Sequence, residues 1–149
     1  MPKPNPLQTL IELSQTRLDD ATRQLGQLLA SARADEQKLE LLNNYRKEYQ
    51  ERFLAAAQEG MGPEAWRNYQ SFLGKLDDAV EHQTRILTQA KARSAAGQQA
   101  WMAERTKVQA YDKLHQRAVA RETSRETRQE QKAADEHSVK NFLSRAEDD

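Results

Sequence analysis

The stretch Glu59-Gly60-Met61-Gly62-Pro63 constrains this chain more than any other. Pro63 is the only proline beyond residue 6, and long proline-free segments flank the stretch, Leu7 to Gln58 and Glu64 to Asp149. Glycine just past a helix end and proline just inside a helix start are the punctuation of a reversal between two helices. Gly60 can adopt the left-handed conformation that closes the first helix. Gly62 can cap the second, with Pro63 at its first position, where a missing N–H costs nothing. The reading is a helical hairpin that turns near residue 61.

The flanks carry the repeat such a hairpin needs. One series in the first helix is Ile11, Leu18, Leu25, Ala32, Leu39, Arg46 and Phe53; the other is Ser14, Ala21, Leu28, Asp35, Leu42, Tyr49 and Ala56. In the second helix the series are Trp66, Leu73, Val80, Leu87, Ser94, Trp101, Val108, His115 and Tyr69, Leu76, Gln83, Ala90, Gly97, Glu104, Tyr111, Ala118. Seven-residue spacing sustained this long is a coiled-coil signal, and polar members taper the seam without ending it. If the turn lies near residue 61, Leu42 faces Val80, Tyr49 faces Leu73, Leu25 faces Gly97 and Ile11 faces Tyr111. The second helix then outruns the first. Its apolar series stops near residue 118, where the first helix has no more residues to offer. The expected organisation is all-α, a long antiparallel two-helix coiled-coil hairpin. It comprises a flexible leader over 1–6, helix one over about 7–58, a turn over 59–63 and helix two over about 64–145. From about residue 120 the second helix is an overhang, solvated and expected to fray, because an unpaired helix is marginal in water. Asn5, Pro6 and Gln8 read as the N-cap, N1 and N3 of helix one.

Composition agrees and excludes several functions. Apolar residues are 37 % and charged residues 31 % of 149, and Ala, Glu, Lys, Leu and Arg supply about half of the chain, as in long helices. Net charge is zero, which argues against a general binder of nucleic acid or anionic membranes. With no cysteine there is neither a disulfide framework nor a thiolate metal site. The proline-rich start has no apolar core and does not read as a secretory signal. The longest apolar run, Phe53 to Ala57, is far too short to span a bilayer. Absence of cysteine fits the cytoplasm. No Gly-rich phosphate loop is present, His82, His115 and His137 are too widely spaced for a metal site, and the Asp19-Asp20 and Asp77-Asp78 pairs do not share a helix face. The chain reads as a non-enzyme with no cofactor, no metal and no small-molecule substrate.

One local excess stands out. Close to the turn, Tyr45, Phe72 and Ala79 add a third apolar row beside the two seam rows. Leu42, Tyr45 and Tyr49 share one helical face, and Phe72, Leu76 and Ala79 share another. The surplus is either a surface for a partner or a wider local clasp at the tip.

These residues also resemble a known family, the flagellar FliJ family of the type III export apparatus. The likeness is carried by Leu18-Asp19-Asp20-Ala21, by Leu41-Leu42 with Tyr45 and Glu48-Tyr49, and by Trp66-Arg67-Asn68-Tyr69-Gln70-Ser71-Phe72. Val108 to Leu114, Gln131-Lys132 and Asp135-Glu136 extend it. The resemblance implies a hairpin similar to the stalk of rotary ATP synthases. Such a stalk inserts in the export ATPase ring, promotes its assembly, and links it to the export-gate membrane protein FlhA and to export chaperones. It implies work in flagellum biogenesis, and so in motility and chemotaxis, at the cytoplasmic face of the inner membrane. It places the gate contact on Leu42, Tyr45, Tyr49, Phe72, Leu76 and Ala79. The family pattern has Gln where Lys38 stands and His where Gln83 stands, so those two contacts are not carried over. The alternative is a general coiled-coil chaperone or scaffold of a virulence-type secretion system.

Overall fold

The computed structural model describes residues 5–148. Residues 1–4, most of the expected leader, and Asp149 lie outside them. Two helices make up the fold, α1 (Pro6–Glu59) and α2 (Pro63–Glu147), packed against each other as an antiparallel hairpin. Pro6 is the first residue of α1, the N1 position expected of it. The Asn5 side-chain oxygen accepts a hydrogen bond from the Leu7 N–H at 3.1 Å and so caps the helix. At the turn, Gly60 has φ 100°, a conformation L side chains avoid. Its N–H donates to the Ala57 carbonyl at 3.3 Å, and the Trp66 N–H donates to the Gly62 carbonyl at 3.0 Å. The chain thus reverses within a three-residue connection.

The heptad series map onto burial. Every member in α1 from Ile11 to Ala56 is buried or half-buried, as are the α2 members from Tyr69 to Tyr111. Three members differ: Trp66, His115 and Ala118 are exposed. Trp66 stands in the first turn of α2 and packs on Phe53 at 4.9 Å, which leaves it 44 % exposed. His115 and Ala118 lie where α1 has run out. Among the described residues only Leu76, Leu87 and Ala90 are buried apolar side chains, joined by Ser14 and Gln83. A seam between two helices has few positions enclosed on all sides, so the core is one side chain thick.

The contacts fall into two compact units. The first comprises residues 17–104, from Arg17 of α1 to Glu104 of α2. Inside it, cross-helix pairs follow the register expected from a turn near residue 61. The Trp101 indole N–H donates to the Thr22 hydroxyl at 3.0 Å. The Gln83 amide donates to the Asp35 carbonyl at 3.0 Å. Arg46 and Asp77 approach to 3.3 Å. Gly97 lies against Leu25 and Leu28 so closely that a Cβ there would stand 2.7 Å from Leu28 Cδ1. The second unit joins the α1 residues up to Thr16 with α2 from Arg105 onward. In it Ile11, Val108 and Tyr111 are half-buried, and Ser14 is buried with its hydroxyl donating to the Ile11 carbonyl at 2.9 Å. All described residues from 112 on are exposed, yet α2 continues unbroken to Glu147. Beyond Gly97, α2 has no glycine or proline and is rich in Ala, Arg, Glu, Gln and Lys, which favour helix.

Candidate functional site

Near the turn the seam is built from aromatic rings. Tyr45, Tyr49 and Phe53 come from α1 at four-residue spacing. Trp66, Tyr69 and Phe72 come from α2 at three-residue spacing. Those spacings aim each trio at the opposite helix, and the rings alternate between helices along the seam. Tyr45 meets Phe72 edge-on, with centroids 6.3 Å apart and planes at 79°. Phe72 packs on Tyr49 at 4.5 Å, and Tyr49 on Tyr69 at 5.3 Å. Tyr69 meets Phe53 at 5.5 Å, and Phe53 meets Trp66 at 4.9 Å. Tilted and edge-to-face arrangements put the positive ring edge against the negative face; each such pair adds about 0.5–1.5 kcal/mol beyond area burial. The Tyr49 phenol is held above its ordinary pKa because burial disfavours its anion. The neighbouring Tyr69 and Tyr45 hydroxyls act in the same direction.

The structure sorts the six residues singled out by the sequence into three sets. Leu76 is 7 % exposed and belongs to the core. Leu42, Tyr49, Phe72 and Ala79 are half-buried in or beside the seam. Tyr45 alone is open to solvent, at 48 %. Its ring leans on Phe72 with one edge and leaves the remainder free. The third row is therefore partly clasp, through Phe72, and partly surface, through Tyr45.

Leu41 was not singled out for exposure in the sequence, although the family likeness touched it. It is 70 % exposed and stands one helical turn before Tyr45, on the same flank of α1. Ile86 continues the row of Phe72 and Ala79 at seven-residue spacing and is half-buried. A check of residues four before and seven after each member of the third row would have found both. Lys38 lies on the Tyr45 flank of α1. Gln83 is turned inward, 8 % exposed and bonded to Asp35, which leaves its side chain little to offer a partner.

Nothing in this arrangement resembles a reaction centre. The polar groups near the rings are phenols, amides and solvated charges, and the apolar side chains offer shape and area. Among the described residues, no group of three His, Asp or Glu side chains converges to ligate a metal. No helix among them is long and apolar enough to cross a membrane.

Comparison with known proteins places the whole chain. The family model described as flagellar FliJ protein matches residues 2–147. A flagellar FliJ protein from Salmonella typhi is 31 % identical over 130 residues, covering 87 % of this chain and 88 % of that protein. One from Escherichia coli K12 is 28 % identical with the same coverage of both chains. The match spans both helices and the turn with its aromatic seam, and the chain belongs to the flagellar FliJ protein family.

Proposed function

We propose that this protein is a non-enzymatic component of the flagellar type III export apparatus. In this reading it acts as a stalk in the export ATPase ring and promotes assembly of the ring. It links the ring to the export gate, FlhA, and to export chaperones, and it works at the cytoplasmic face of the inner membrane at the flagellar base. Family membership over nearly the whole chain supports the flagellar setting. The observation that carries the docking part is the half-exposed Tyr45, braced by Phe72 on the outer flank of the aromatic seam. A rigid aromatic held by a neighbouring ring loses little entropy when a partner covers it, which is how interface anchors are built.

The test compares variants that separate docking from folding. Tyr45→Ala removes one edge contact and a solvent-facing ring, so the hairpin keeps its helicity and loses roughly 0.5–1 kcal/mol of stability. Binding to the purified cytoplasmic part of the gate protein is expected to weaken at least about tenfold, the scale of an interface anchor. Adding Phe72→Ala abolishes binding but also opens the seam against Tyr49. Unchanged gate binding by Tyr45→Ala would refute the docking reading. For the stalk role, substoichiometric amounts of this protein are expected to raise turnover and ring assembly of the export ATPase; no effect on either would refute it.

A further inference from the structure

We propose that the exposed part of α2 carries a second docking surface, a basic row that takes the acidic face of a helix on a partner protein. Arg117, Arg121, Arg125, Arg128 and Lys132 follow one another at three- and four-residue steps, which puts them on one face of the helix over about 22 Å. All five are exposed. Among the described residues, none of them lies within ion-pair distance of a carboxylate of this chain. The opposite face carries Glu122, Glu126 and Glu130, again one turn apart.

This segregation is the physical clue. A solvated lone helix is best served by alternating signs at four-residue spacing. Here Arg117–Arg121, Arg121–Arg125, Arg128–Lys132 and the glutamate pairs place like charges one turn apart, which weakens the helix. The repulsion is relieved when carboxylates arrive from outside. Four of the five cations are arginines, whose planar fork grips carboxylates in pairs. A second helix with acids at the same three- and four-residue steps matches the row in length and spacing. Farther along the same face, beyond Asp135 and Glu136, stand Val139, Phe142 and Leu143, which are 56, 73 and 55 % exposed. They supply an apolar anchor to an interface that charge alone would leave weak.

The alternatives fit less well. From Arg117 to Lys132 the one large apolar side chain, Val119, lies off the row, and the acidic Asp135 and Glu136 stand between the row and the apolar cluster at 139–143, which suits an anionic lipid surface poorly. No Phe, Trp or Tyr lies between Tyr111 and Phe142, so a nucleic-acid strand would find no stacking platform.

The inference is independent of the Tyr45 surface, and the test keeps them apart. A photo-crosslinking residue in place of Ser124, which sits among the arginines, is placed in the full-length chain in flagellated cells, and the captured peptide is mapped. The expected catch is a helical protein segment with Asp or Glu at three- and four-residue steps. Combining Arg121→Gln, Arg125→Gln and Arg128→Gln is expected to reduce its binding roughly tenfold, the product of three exposed pairs. Helicity by circular dichroism should hold or rise, because like-charge contacts are removed. Tyr45→Ala should leave capture unchanged. Capture of lipid, nucleic acid, a second copy or a non-acidic segment overturns the proposal. So does no capture at all, or binding that survives the glutamine variant.

Discussion

Tyr49 sits where rings from both helices meet, and its ionisation reports on that packing. Its phenol is held above the ordinary value near 10.0 by burial and by the Tyr69 and Tyr45 hydroxyls. A raised folded-state value favours the neutral phenol. This contributes stability that is complete below the ordinary pKa and is lost as pH climbs through the shifted one. The urea midpoint of the wild-type chain should therefore fall as pH rises past the ordinary tyrosine value near 10.0. Tyr49→Phe, which cannot ionise, should flatten part of that fall. An identical pH profile in the variant would mean that the Tyr49 hydroxyl is not enclosed.

At the scale of the helices, register is carried by a few unequal contacts. Gly97 lets α2 close on α1 where Leu28 projects across the seam. Gly74 has nothing near the place a Cβ would occupy. Gly74→Ala should then stabilise the hairpin by about 1 kcal/mol from helix propensity alone. Gly97→Ala should gain less, because the Leu28 methyl must swing away. Gly97→Val should destabilise by about 1–3 kcal/mol through overpacking. Denaturant midpoints of the three variants give the order directly, and a Gly97→Ala gain equal to that of Gly74→Ala would contradict the close approach. Gln83 serves the same element differently. Bonded to the Asp35 carbonyl, it is a polar layer that is satisfied in one register only. Such layers favour a single pairing at some expense of stability.

For the molecule as a whole, stability resides where the two helices cover each other, and the exposed part of α2 depends on it without returning support. Every described residue from 112 on is exposed. A chain ended after Ala118 should have an unfolding free energy in urea within about 0.5 kcal/mol of the full chain, with less helical signal. A large loss would mean that the C-terminal residues contribute to the fold.

The fold was legible in the sequence because a two-helix seam is local physics repeated. Seven-residue spacing from Ile11 to Tyr111 and the Gly60–Pro63 punctuation are sufficient to define the helices, their reversal and their register. Which members of the candidate surface face solvent was not legible. Leu76 and Tyr45 both belong to apolar rows near the turn, and only the packing of α2 against α1 covers the first and leaves the second bare. Leu41 and Trp66 are exposed too: Leu41 lies off the seam, and Trp66 is covered on one side by Phe53. Periodicity assigns a side chain to a face. Exposure depends on the size and reach of what lies across the seam, and that is decided only when the two helices meet.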